Sequence, residues 1–220
     1  MSKRVHKGWW WAAALPALAV MIAASSSVMV HGYRPLSVHD VVAAGFNEPT
    51  SFHFDYHVDE ETVEHAATVQ LTQLDAGHRE EFNAAYSAKN LMDPPPLAGE
   101  TEVFKATVAW QADPETPLGS CTVTLRDASR LEHPARLAVS PQDMPVDMPA
   151  AVPSLCEPEG ATGPGGADLL ELDANILPEP STRPAEWEMT YYFVVNADFQ
   201  PEDLVISWGV PHEVRLSAHA

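Results

Sequence analysis

Three residues come closest to a chemical constellation: His53, Asp55 and His57, within Ser51-Phe-His-Phe-Asp-Tyr-His-Val58. On a β-strand, positions i, i+2 and i+4 project to one face. Two imidazoles and one carboxylate on such a face offer ligands to zinc or copper. Same-face neighbours on one strand lie about 6.5–7 Å apart, so a donor from another strand would help to close a site. The acidic cluster Asp59, Glu60, Glu61 and Glu64, with His65, follows at once and could supply one. The competing reading is a solvated polar face, because Phe52, Phe54, Tyr56 and Val58 alternate with these residues and mark a half-buried strand.

Met144 and Met148 form a second candidate, since thioethers suit Cu(I). His133 lies 11 residues before Met144, a spacing that resembles the first half of the periplasmic copper-chaperone motif. The second half needs a His-x-Met, and Gly163-Pro-Gly-Gly166 stands there instead, so the pattern fails. Cys121 and Cys156 are the only cysteines. Their spacing does not make a zinc site, which wants close pairs. In an oxidising compartment they would form a disulfide that closes a long loop. Nucleophilic chemistry finds no Gly-x-Ser-x-Gly elbow, and there is no His-Glu-x-x-His, phosphate-binding glycine loop or dinucleotide fingerprint. The sequence therefore predicts no catalytic residue, no cofactor and a non-enzymatic protein.

The elements that must hold these residues are mostly strands. Ser37-x-x-Asp40 followed by Gly45 predicts a short helix over 38–44. Alternation predicts strands at 51–58 and 67–74, with 59–65 open between turn and helix. Asp75 to Asn90 reads as a helix capped by Asp75, with Phe82, Ala85 and Tyr86 on one face. Asp93-Pro-Pro-Pro ends it. Phe104, Ala106, Val108 and Trp110, then Cys121, Val123 and Leu125, predict two strands joined as a hairpin across Asp113-Pro-Glu-Thr-Pro-Leu-Gly119. A short strand is expected at 136–139, a Pro/Gly-rich loop at 141–167, and further strands at 168–172, 187–195, 204–208 and 214–216. Trp110, Trp187 and Trp208 are the expected core anchors. Short alternating strands separated by Pro, Gly and Asp predict an antiparallel β-sandwich with one or two short helices. Tyr191-Tyr-Phe-Val-Val195 followed by Gln200-Pro-Glu-Asp-Leu-Val-Ile206 resembles the last hairpin of small Ig-like domains on bacterial exported proteins. That resemblance implies an Ig-like sandwich and carries no functional residue with it.

Location is the most legible property. Lys3, Arg4 and Lys7 precede a run of 22 uncharged residues, Trp9 to Val30. About 20 apolar residues span a bilayer core as a helix. The basic flank predicts a cytoplasmic N-terminus, with everything beyond the run outside the membrane. Trp9, Trp10 and Trp11 sit where an interfacial aromatic belt would sit. The alternative is a secretory signal cleaved near Ala23-Ala24-Ser25-Ser26-Ser27, which would release the rest. The expected division is 1–32 as basic tip and membrane helix and 33–220 as one ectodomain. That ectodomain carries nine basic residues against all 31 acidic ones, a net charge of −22. Nucleic acid needs a basic footprint and is excluded as a partner. The expectation is a single-pass, membrane-anchored binding or assembly module, contacting the bilayer through residues 9–30 and a protein partner in the membrane or envelope. A metal-binding protein built on His53, Asp55 and His57 is the second reading, and a hydrolase without a recognisable motif the third.

Overall fold

The computed structural model describes residues 38, 40–58, 61–90, 93–97, 99–119, 121–143, 155–161 and 183–219. The expected N-terminal helix, the expected strand at 168–172, and Met144 and Met148 lie outside them. Among the described residues, no helix is long and apolar enough to cross a membrane.

Among the described residues, ten strands and one helix follow in order. They are β1 (Asp40–Ala44), β2 (Thr50–Val58), β3 (Glu61–Ala76), α1 (Arg79–Asn90), β4 (Thr101–Gln111), β5 (Thr122–Asp127), β6 (Glu132–Pro134), β7 (Leu137–Val139), β8 (Glu186–Asn196), β9 (Pro201–Ser207) and β10 (His212–Ser217). One sheet runs β1-β10-β9-β5-β6 and the other β2-β3-β4-β8-β7. Among the described residues, every pairing is antiparallel except β1 with β10, which is parallel. The protein is mainly β, two packed sheets with apolar side chains between them.

The alternation seen in the sequence builds that core. Phe52 and Phe54 of β2, Ala106, Val108 and Trp110 of β4, and Val123 and Leu125 of β5 are buried, with Tyr191 and Phe193 of β8, Leu204 and Ile206 of β9, and Val214 and Leu216 of β10. Contacts join the two layers: Phe52 lies 5.1 Å from Trp208, and Phe54 stacks 4.5 Å from His212. Trp110 and Trp187 stack at 5.8 Å on neighbouring strands. On the outer face of the second sheet, α1 covers Val103, Leu137 and Tyr192 with Phe82.

Three local expectations are corrected. Residues 40–44 form a strand, not a helix. Val41 and Val42 are β-branched and stiff, and the free side of β10 gives them a ladder. Asp40, read as helix-starting, instead receives His212 Nδ1 at 2.9 Å, and its own amide donates to Pro211 O at 3.1 Å. The helix begins at Arg79 rather than Asp75, because β3 stays paired with β4 as far as Ala76. Gly77 then turns the chain at φ 93°, a left-handed conformation that glycine adopts without steric cost. His78 O accepts the first helical hydrogen bond from Phe82 N at 2.9 Å. Finally, β4 and β5 do not form a hairpin: they lie in different sheets. The connection between them crosses the layers and buries Leu118 completely.

Candidate metal centre and its surroundings

On β2, His53 and Asp55 are exposed, while Phe52 and Phe54 point into the core. The β2–β3 ladder places Asp55 directly opposite Glu64. His53 Nδ1 approaches Glu64 Oε1 at 3.2 Å, and its Nε2 approaches Asp55 Oδ1 at 3.5 Å. One ligand atom from each of the three lies within 4.8 Å of the others. The side chains are 59%, 53% and 58% exposed for His53, Asp55 and Glu64, so water screens them heavily. An imidazole between two carboxylates can act as a solvated ion triad, or can turn one nitrogen toward a shared cation with the carboxylates as hard co-ligands. Of the predicted set, His53 and Asp55 thus come together. His57 pairs with Thr62 in the ladder, but its side chain is outside the described ones, as are Asp59 and Glu60.

His65 faces the other way. It is buried beside Tyr56 (4.8 Å between ring centroids) and Trp208 (5.4 Å). Among the described residues, its Nδ1 has no hydrogen-bond partner. Burial lowers its pKa; a backbone hydrogen bond at Val63 opposes this, and the neighbouring His212 adds to it. Tyr56 lies 4.9 Å from His212 and is pushed up to about 12, first by burial and then by the Asp40 charge. His78 has the opposite environment. Hydrogen bonding to Asp75 at 3.0 Å raises its pKa against the effect of burial, and Glu81 at 3.1 Å adds to the rise.

These shifts have opposite signs in stability. A depressed histidine stabilises the fold above its unfolded pKa of about 6.5, and that contribution is lost as pH falls from there through the folded value. A raised one contributes fully below about 6.5 and loses its contribution as pH rises through the folded value. Replacing His65 by leucine should therefore remove the acid-side loss. Thermal midpoints of His65→Leu between pH 7.5 and 5 should then stay level or rise on acidification, the trend left by His78. An unchanged acid-side fall would show that the His65 environment is not its source.

The described residues bury few charges, and those they bury are matched. Arg126 Nη2 donates to Asp203 and Glu213, each at 3.1 Å, and Arg215 Nε donates to Glu213. Val205, two positions beyond Asp203 on β9, pairs with Thr124 on one side and Arg215 on the other and is buried. Arg183 is wholly buried, donates to Glu157 and to Asp113 O, and holds its guanidinium 4.8 Å from the Trp187 ring. Glu157 follows Cys156, which is bonded to Cys121 in a buried disulfide. Trp187 Nε1 donates to Cys156 O at 3.0 Å, and Lys89 Nζ reaches Glu159 at 2.9 Å. Segment 155–161 is thus held by a covalent bond, two ion pairs and an indole. His133, the other metal-ligand candidate, packs edge-on against Phe199 at 4.8 Å.

Sequence reasoning placed Glu64 only within a diffuse acidic cluster and missed Asp40–His212 and Arg183–Glu157. The first needs the β2–β3 register, the others a long-range fold. The outer face also carries an open groove of about 440 Å³ beside Thr68, Gln70, Ala109, Gln111, Glu186 and Glu188, whose polar lining is amides, a hydroxyl and two carboxylates. Compared with protein-family models, curated proteins and solved structures, the chain finds no match.

Proposed function

We propose that the chain is a membrane-anchored, extracytoplasmic binding or assembly module with an Ig-like sandwich and no catalytic activity of its own, accessory to an envelope or membrane component. The observation that carries this reading is the buried Cys121–Cys156 disulfide, because such bonds persist in oxidising compartments outside the cytosol. It agrees in direction with the basic flank and the apolar run of Trp9–Val30. The net charge of −22 keeps such a domain apart from acidic surfaces and favours a cationic partner. The matched burial of Arg126, Arg183, Glu157 and Glu213 supports a structural role for these charges. Cross-linking in intact membranes, followed by capture of the full chain from detergent extracts, should recover a second protein in fixed proportion. Recovery of the chain alone would remove the proposal. Sequencing the mature N-terminus tests the anchor separately: retention of Trp9–Val30 is expected, and a start near Ser25 would make the protein a released one.

A second reading is favoured by the convergence of His53, Asp55 and Glu64: binding of a divalent transition metal at that corner. Titration of the purified full chain with Zn²⁺ should then show one site of micromolar order, weakened about tenfold or more in His53→Ala and in Glu64→Gln, as loss of one of three ligands implies. Affinity equal in both variants and in the parent ends this reading.

A further inference from the structure

We propose that the free edge of β2 is a strand-addition site that accepts an extended, cationic segment of a partner protein. The inference deepens the binding-module reading and rests on it.

Each sheet has two edges, and a sheet edge exposes backbone N–H and C=O groups that can template another chain. Proteins commonly protect edges by keeping them short. Here β6 and β7 have three residues each, and β1 has five. In addition, Lys89 Nζ donates to Ala138 O on β7 at 2.8 Å. β2 departs from this pattern. It is nine residues long and pairs with β3 in unbroken register from Thr50 to Val58. It contains no proline, no lysine and no bulge, the usual blocks to edge pairing. Among the described residues, β2 makes no backbone hydrogen bond on the side away from β3.

Side chains select the occupant. Residues opposite each other on adjacent strands bring Cβ atoms to about 4.5–5.5 Å. An added strand would lay alternate side chains beside Ser51, His53 and Asp55, with Glu64 one strand further in. Basic residues at those positions would meet Asp55 and Glu64, and apolar ones at the others would extend the layer of Phe52, Phe54 and Tyr56. A second copy of this chain fits less well, because it would bring two domains of −22 together. Main-chain hydrogen bonds then give affinity, and the alternating side chains give specificity.

The test uses the full chain in detergent with a chelator present, so that no metal contributes. The probe is a capped peptide of about eight alternating lysine and valine residues, an ordinary strand length. The comparator is the same peptide methylated on alternate backbone nitrogens, which keeps charge and removes donors. Methylation should weaken binding about tenfold or more. Asp55→Lys should weaken it to a similar degree, about tenfold, by placing a like charge opposite the added strand. The unmodified peptide should slow amide exchange at alternate residues of Thr50–Val58. Equal binding of both peptides, or protection confined to other elements, overturns the proposal. So does concentration-dependent protection of β2 without peptide, which would assign the edge to a second copy. If Asp55→Lys abolishes peptide binding but still captures its membrane partner undiminished, this edge fails as the partner's site while the binding-module reading stands.

Discussion

Replacing Arg183 by methionine is expected to lower the unfolding free energy by about 3–5 kcal/mol, the usual consequence of leaving one member of a buried ion pair uncompensated. Arg183 is fully buried and Glu157 nearly so, at 2% side-chain exposure, so water does little to screen the carboxylate left behind. Asp113 O loses its donor and Trp187 its cation in the same step. The thermal midpoint, followed by tryptophan fluorescence of the full chain, should fall by roughly 10 °C. Combining Arg183→Met with Glu157→Leu should restore most of the loss, since an apolar pair of similar volume often replaces a buried ion pair without penalty. If the double variant is no more stable than the single one, the damage comes from lost packing on Trp187 and not from the orphaned charge.

Changing both Cys121 and Cys156 to alanine should destabilise the fold by about 3–4 kcal/mol, as expected for a bond closing a loop of this length. The bond spans 35 positions, and both cysteines are buried. Reduction by a thiol should reproduce most of the effect in the parent and none in the variant. The two predictions are coupled. Arg183 and the disulfide grip the same segment, 155–161, so once the bond is gone that segment can carry Glu157 into water. The Arg183→Met loss should therefore shrink by about 1 kcal/mol or more in the alanine background, the size of interaction seen between contacting sites. Strict additivity would mean that the ion pair and the disulfide hold 155–161 independently.

The strands around the core could be read from the chain because alternation is a local property. Phe52, Phe54, Val108, Trp110, Tyr191, Phe193, Leu204 and Ile206 lie where their spacing put them. Failures came where a distant partner overrode a local signal. Val41-Val42 sits behind a helix-like Ser37-x-x-Asp40, and only β10, far along the chain, makes it a strand. The helix cap at Asp75 lost to a β3–β4 ladder that includes a bulge between Leu71 and Gln73. The loop after Gln111 looked like a hairpin because nothing in Asp113–Gly119 signals that Leu118 belongs in the core. In the site, His53 and Asp55 were legible because they share a strand face. Glu64 was not singled out, because its place opposite Asp55 depends on Val58 closing directly onto Glu61. Asp59–His65 could equally have been a helix, and any other closure would have sent Glu64 elsewhere.

The parallel pairing of β1 with β10 also sets an order of events. Asp40 and His212, joined at 2.9 Å, stand 172 positions apart. At ordinary synthesis rates of about 5–20 residues per second, β1 waits roughly ten seconds or more before its partner strand exists. Until then Val41 and Val42 have no ladder to join. The sheet that contains β1 can close only after β10 has emerged, a long-range contact of the kind that slows folding. A chain cut short before His212 would leave β1 without its partner, so pairing of β1 reports that β10 has been made.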